Sequence, residues 1–369
     1  MLEVISFIHE NQNWRDLLSG DPYRLSLVTD GGFTILNYSQ YDSDFMINIV
    51  RECRGLIIDA ECQPVCIPFF KFANYGEAYA DTLDWQTASI EEKIDGSLIK
   101  LWNYKGEWII STNRTIFAKN AVLSTEGLAQ DDSKYSNFAE LFKAAADKAQ
   151  LDYDRLDPDH TYMFELVSPF NKVVVSYESP AIYHIGTRNN ISLKEKDIDI
   201  GVQKPRVFSC DNLADLIEMA SELSYNEEGY VVKDAGFKRL KVKSPAYVAA
   251  QHLITGINQK RLLEIMKENE TSEFLTYFPE YKREFAQLSL SVERLTNYIE
   301  EVHLDKIAGR KFQSRKDYAE VVSQTLFPAY FFMLYDGKVQ NPYEWIWSLP
   351  ADRMLEQLAR VYPHESVHR

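Results

Sequence analysis

Pro245 divides the chain into two textures, and that division limits the possible folds more than any other feature. Before it, short β-branched and aromatic runs recur, at 24–30, 32–38, 55–60, 97–104, 107–112, 161–167, 172–177, 181–187, 229–234 and 239–243. Tight turns such as Asp30-Gly31-Gly32 and Tyr104-Lys105-Gly106-Glu107 join several neighbours. Short connections between adjacent strands imply antiparallel sheets. Two helical patterns interrupt them, at 136–149 and 211–223, the second opening on Asp211 as a candidate cap. After Pro245 the strand-like runs stop. Tyr281, Phe285, Leu288, Val292, Leu295, Ile299 and Val302 then step alternately by four and three. That spacing predicts one apolar stripe on a helix of about six turns. Its plain meaning is the core face of a helical domain. Further helices are expected at 314–334 and 350–361, punctuated by Pro279, Pro328, Pro342 and Pro350. The expected class is α+β: antiparallel sheets with flanking helices over 1–245, then an all-α domain over 246–369.

Charge follows the same division. The formal charge is -15. Up to Ser244 there are 25 Lys and Arg against 38 Asp and Glu, and from Pro245 onward 15 against 17. Such a balance argues against a protein that lives on non-specific attraction to phosphate. It leaves room for a locally basic site. No run approaches the roughly 20 apolar residues needed to cross a membrane. The opening MLEVISFIHENQNW carries Glu3, His9 and Glu10 and lacks the basic flank and cleavage site of a signal peptide. A cytoplasmic location without membrane contact is therefore expected. Cys53, Cys62, Cys66 and Cys210 form no disulfide framework and read as reduced thiols.

The most informative segment is Glu91-Glu92-Lys93-Ile94-Asp95-Gly96-Ser97, between two strand-like runs. Alone, it reads as a turn carrying a solvated lysine. Four other segments change that. Phe164-Glu165-Leu166 sets a carboxylate inside an apolar strand, where a charge needs a partner or a metal. Glu227-Glu228-Gly229-Tyr230 places an acidic pair before another buried-looking strand. Lys241 and Lys243 stand two apart and so share one strand face. Glu52-Cys53-Arg54-Gly55 brings an arginine to the start of a further strand. A nucleophile-type lysine, two strand-borne carboxylates and paired lysines are the parts needed for phosphate chemistry with a metal. No Ser-His-Asp arrangement and no Gly-rich phosphate loop is readable.

The ordered set resembles the covalent nucleotidyltransferase superfamily of ATP-dependent ligases and capping enzymes. Lys93-Ile94-Asp95-Gly96 matches the nucleophile motif, Phe164-Glu165 and Glu228-Gly229 the two carboxylate motifs, and Lys241-Val242-Lys243 the final lysine motif. A lone KxDG says little; four such motifs in order are specific. Within the superfamily the chain is most similar to RNA ligases of the bacteriophage T4 RnlA type. Tyr38 to Tyr41 leading into Glu52-Cys53-Arg54-Gly55, Lys71-Phe72-Ala73-Asn74, and the stretch Phe164 to Lys172 carry that likeness, over about residues 20–250. Two places depart from the pattern. Ser111-Thr112-Asn113-Arg114 has Asn before its basic residue, so Arg114 is the cation available there, and Lys172 stands where the family often has Arg.

The resemblance implies an adenylyltransferase domain over 1–245 and a helical domain over 246–369 that helps choose the RNA. It implies an ATP-dependent RNA ligase acting through a lysyl-AMP and an RNA-adenylate. A free lysine has a pKa of about 10.4, and nearby cations and desolvation lower it into a nucleophilic range. Lys93 would be the nucleophile. Lys241 and Lys243 would stabilise charge on the α-phosphate. Glu228, with Glu165, would hold Mg²⁺ or Mn²⁺, Glu165 also reaching the ribose. Arg54, Lys71, Phe72, Asp95, Gly96 and Arg114 complete the ATP-binding set. Tyr38, Tyr41 and Phe72 are candidates for base stacking, although core packing is the better default for any one of them. Arg188, in Gly186-Thr187-Arg188-Asn189, stands where the family has a stretch beside the base and is open between a structural and a functional role; Lys172 and Lys233 are open between solvated lysines and contacts to RNA phosphates. Expected partners are RNA 3′-hydroxyl and 5′-phosphate ends, with tRNA among the possible substrates, and no obligate protein partner. The alternatives are a DNA ligase, a capping guanylyltransferase, or a catalytically silent RNA-end binder. The helical texture after Pro245, unlike a five-stranded barrel, argues against the first two, and the intact motif set argues against the third.

Overall fold

Hydrogen-bond register along nine of the expected runs, together with four short strands that the sequence reading did not include (Pro64–Cys66, Ser89–Glu92, Glu195–Lys196 and Val207–Phe208), produces three antiparallel sheets. The first is four-stranded, in the order Leu25–Asp30, Phe33–Tyr38, Arg54–Ile58, Pro64–Cys66. The second is five-stranded, in the order Glu195–Lys196, Ala181–Asn189, His160–Val167, Ser97–Tyr104, Glu107–Thr112. The third runs Val207–Phe208, Ser89–Glu92, Gly229–Lys233, Arg239–Lys243. The computed structural model describes residues 1–39, 42–123, 135–253 and 258–361, so Tyr41 lies outside the described residues. Two compact units result, Met1–Ile254 and Thr255–Arg369.

The first unit buries its apolar strand faces in several clusters. Leu36, Leu56 and Ile58 pack under the helix Glu3–Glu10, while Ile99, Leu101, Phe164 and Leu166 pack against the helix Phe138–Lys148. The helices Glu3–Glu10 and Trp14–Ser19 are absent from the sequence expectation. Glu52 anchors the first of them: its carboxylate accepts from the amides of Glu3 and Val4 at 3.0 and 2.8 Å. Such a side chain offsets unpaired amides at a helix start, and nothing local in the sequence announces a partner 48 residues away. The helix Leu213–Ser221 is capped by Asn212, whose side chain accepts from the amide of Asp215, in place of the expected Asp211. The expected strand over 172–177 does not form. The amides of Val174 and Val175 donate instead to the carboxylate of Asp95, at 2.9 and 2.7 Å, and so are withdrawn from any ladder.

In the second unit the expected long helix is Lys282–Lys306, with Phe285, Leu288, Val292, Leu295 and Ile299 buried. They pack with Tyr330, Phe331, Trp345 and Met354 in one core, as the apolar stripe required. The single helix expected over 314–334 is two, Arg315–Val322 and Pro328–Tyr335. Pro328 cannot donate to the preceding turn and restarts the chain as a first-turn proline. Among the described residues no helix is long and apolar enough to cross a membrane. The four cysteines are free thiols.

Candidate active site

Lys93 lies in the short connection that leaves the third sheet after Ser89–Glu92 and enters the second at Ser97. Its amide donates to the carbonyl of Gly229, 2.9 Å away. Its Nζ lies 2.8 Å from Oε1 of the buried Glu228. Two glycines make this approach possible. A Cβ on Gly96 would run into the carbonyl oxygen of Leu166 and lie 2.9 Å from Val167 Cγ1. Gly229 adopts φ +136°, and a Cβ there would meet the Val242 carbonyl and Lys243 Cα. The nucleophile loop therefore presses directly onto the strand that carries Glu165, and Glu228 onto the one that carries Lys241 and Lys243.

The Lys71–Asn74 stretch is stitched to that last strand. Lys241 donates its amide to the Ala73 carbonyl at 3.0 Å, and Tyr75 donates to the Lys241 carbonyl at 2.7 Å. Phe72 consequently faces Lys241, whose Nζ is 4.7 Å from the ring centre, with the Arg54 guanidinium at 5.8 Å. Lys71 is buried, its ammonium 4.8 Å from the ring of Phe45 and 5.3 Å from that of Tyr38. One Arg54 guanidinium nitrogen is buried without a hydrogen-bond partner among the described residues. Buried polar groups in that condition point to a missing ligand or solvent.

The electrostatics bear the imprint of this crowding. Burial, reinforced by Lys71, Arg54, Lys93 and Lys243, drives the Lys241 amine well below the usual lysine range. Burial likewise pushes the Glu165 carboxyl up to about 7; Lys93 and Arg54 pull it down, while Glu228 and Asp95 add to the rise. Strong perturbation by burial plus specific charges is a mark of functional sites. The charges of Lys93 and Glu228 act on Glu165, so two hard oxygen donors lie in one neighbourhood, and their chemistry suits Mg²⁺ or Mn²⁺. Among the described residues no group of three or more potential ligands gathers, so water and substrate oxygens would complete such a shell.

Asp95 does more than shape a turn. Besides the amides of Val174 and Val175, its carboxylate accepts the Tyr247 hydroxyl at 2.8 Å. Tyr247 belongs to the helix Pro245–Leu253, which lies in the first unit although the sequence change at Pro245 suggested otherwise. Arg54, Lys71, Phe72, Lys93, Asp95, Gly96, Glu165, Glu228, Lys241 and Lys243 are thus brought together. Arg114 is not: it is exposed in the turn after Glu107–Thr112. Its neighbour Asn113 turns inward, accepting from Asn37 Nδ2 at 3.0 Å through its carbonyl. Lys172 is exposed, and Lys233 is held by Glu91 at 2.5 Å.

Lys100 escaped the sequence reading. It is fully buried, donates to the Gly55 carbonyl, and burial, with Arg54 adding and Cys66 opposing, lowers its amine to about 8. A lysine inside Leu98-Ile99-Lys100-Leu101-Trp102 carried the same signal that singled out Glu165.

Lys93 is thus set against two carboxylates and beside a lysine that other cations crowd, all on antiparallel sheets. A family described as RNA ligase matches residues 52–247, just over half of the chain and nearly all of the residues just named. The chain belongs to this RNA ligase family. It is 27% identical over 302 residues to a protein of Autographa californica nuclear polyhedrosis virus named for polynucleotide kinase and RNA ligase, covering 75% of this chain and 42% of the relative. An RNA ligase of Rhodothermus phage RM378 is 26% identical over 287 residues, covering 60% of this chain and 65% of the phage protein. The chain thus spans less than two thirds of either relative. Among solved structures, an archaeal ATP-dependent RNA ligase matches with a TM-score of 0.44 and 13% identity over 97% of this chain and 90% of its own. A variant of the Naegleria gruberi RNA ligase with ATP and Mn matches at a TM-score of 0.34 and 12% identity, over 45% and 51%.

Proposed function

We propose that this protein is an ATP-dependent RNA ligase that joins a 3′-hydroxyl to a 5′-phosphate through a lysyl-AMP and an RNA-adenylate. The observation that carries this reading is the setting of Lys93: its Nζ is 2.8 Å from Glu228, and it lies beside the buried Lys241, on which Lys71, Arg54 and Lys243 also act. In the first step the Lys93 amine attacks the α-phosphorus of ATP. A nitrogen–phosphorus bond forms, the bond to pyrophosphate breaks, and the amine loses its proton. An oxygen of the RNA 5′-phosphate then takes the AMP, freeing Lys93. Finally the 3′-hydroxyl attacks that 5′-phosphorus and AMP departs.

The residues suit these steps. Lys241 and Lys243 offset charge that grows on the phosphate oxygens. Arg54, with its unpartnered nitrogen, and Lys71 both act on Lys241 and would add their charge to the same side of the phosphate. Phe72 offers an apolar face beside them. Glu165 and Glu228 would hold Mg²⁺ or Mn²⁺, which when bound supplies positive charge to the reacting phosphate. The Met1–Ile254 unit would be the adenylyltransferase, and the helical unit would select the RNA, with tRNA repair as one task, in the cytoplasm and without an obligate protein partner.

The test is incubation with ATP labelled at the α-phosphate and Mg²⁺, followed by denaturation. An acid-labile adduct, lost in Lys93→Ala, is expected. No adduct with any nucleotide overturns the reading, and an adduct from GTP alone redirects it to capping. Offering RNA and DNA ends to the adenylated protein reads the substrate class, and comparing a cleaved tRNA with a plain oligonucleotide reads the repair task.

A further inference from the structure

Beside the Lys93 cluster, and sharing Lys71 and Phe72 with it, a cavity of about 470 Å³ opens in the first unit. That size lies within the roughly 300–1,000 Å³ of small-ligand sites. Its walls are the Phe70–Phe72 segment, Arg51 with Asp81, and two hairpin turns, 189–194 and 234–238. Arg51, Lys71, Arg188, Lys194, Lys238 and Arg239 face it against only two carboxylates, Asp81 and Glu195. We propose that this cavity receives the 5′-phosphorylated terminal nucleotide of the RNA strand and presents its phosphate to the adenylated lysine. The proposal rests on the ligase reading above.

Three observations carry it. The first is an unbalanced buried charge. Glu195 lies between two guanidinium groups, 2.5 Å from Arg188 and 2.7 Å from Arg239, and all three side chains are nearly inaccessible. One carboxylate cannot neutralise two arginines. The other carboxylate that Arg188 senses, Glu52, is committed to the amides of Glu3 and Val4. Arg188 Nε is buried and has no hydrogen-bond partner among the described residues. A buried cation left short of counter-charge is costly, and a phosphate is the anion that guanidinium geometry fits.

The second is apolar surface beside that charge. The Arg188 guanidinium stacks on Phe70 at 4.1 Å and that of Arg239 on Phe69 at 4.2 Å, while Phe72 and Phe237 line the cavity. Inorganic pyrophosphate would use the cations and leave the rings idle. A nucleotide uses both, since bases stack on aromatic and guanidinium planes.

The third is local backbone strain. Leu193 and Phe237, one in each hairpin turn at the cavity, adopt φ +64° and +61°. Bulky residues avoid that region at a cost of about 1–2 kcal/mol each. Glycine is the usual occupant, and Gly236 stands one position too early to serve. Strain of this kind gathers at ligand-holding loops.

The test uses the full chain carrying Lys93→Ala, so that no turnover confuses binding. It is titrated with labelled oligoribonucleotides ending in a 5′-phosphate or a 5′-hydroxyl. Tighter binding of the phosphorylated end by about tenfold or more is expected, the size of one charge-assisted contact. Lys194→Glu and Lys238→Glu, both at exposed lysines, should erase that preference. Phe237→Gly should weaken the phosphorylated oligonucleotide while Tm holds or rises, because it relieves strain; a merely structural role would lower Tm instead. An unchanged preference in the two charge variants overturns the proposal. So does a rise in the ATP concentration needed to form the lysine adduct when the same two substitutions are made with Lys93 intact, which would assign the cavity to the leaving pyrophosphate. Failure of the ligase reading is separately visible, as absence of any adduct in the protein with Lys93 intact.

Discussion

At the scale of single residues, what the sequence disclosed is what a charge in an apolar run must disclose. Glu165 stood out because an ionised carboxylate among Phe164, Leu166 and Val167 has to find a partner, and it shares its field with Lys93 and Glu228. Lys100 carried the identical signal, and its partner, the Gly55 carbonyl, is 45 residues away. Asp95 was legible as half of an Asp-Gly turn; its three hydrogen-bond donors come from residues 79, 80 and 152 positions distant, which no local pattern encodes. Lys100 also yields a pH prediction. Its folded-state pKa of about 8 is below the ordinary 10.5. Between those values the unfolded chain binds the extra proton, so stability contributed at this site rises as pH increases from about 8 to 10.5. Denaturant unfolding across that range should show the rise in the native protein and a flatter profile in Lys100→Met. Parallel profiles for the two proteins would sink this account.

At the scale of elements, strands were recovered wherever β-branched runs alternated, and the exceptions share one cause. The run at 172–177 has strand composition but surrenders two amides to Asp95. The two opening helices depend on burial against the first sheet and on Glu52, both remote in sequence. A long-range partner outweighs local propensity in each case. Elements also meet more closely here than side chains normally allow, and Gly96 is the sharpest instance. Gly96→Ala should cost at least about 2 kcal/mol through forced separation of the nucleophile loop from the His160–Val167 strand. That corresponds to a fall in Tm of roughly 4–8 °C in a unit of this size, together with loss of the lysine adduct. A variant as stable and as readily adenylated as the parent would show that the loop tolerates the extra atom.

At the scale of the whole molecule, the acidic total of -15 is compatible with phosphate chemistry because the cations are gathered. Under the proposed function recognition would rest on a few placed contacts, and generic duplex should bind poorly. The two units have separate apolar cores. Phe331, fully buried in the helical one, tests their independence. Phe331→Ala should destabilise that unit by about 3–5 kcal/mol, giving an earlier calorimetric transition, while adduct formation from ATP persists and RNA sealing falls. Loss of the adduct along with the helical transition would show that the units fail together. The loop that carries Lys93 is gripped from every side: by Gly229 through its amide, by Val174, Val175 and Tyr247 through Asp95, and by Leu166 against Gly96. A lysine so fastened is a stationary post. In the proposed reaction two phosphorus centres, the α-phosphorus of ATP and then the 5′-phosphate of the RNA, would each be carried to it in turn, so the traffic of substrates through the pocket mouth, rather than any travel of the nucleophile, would set the order of events.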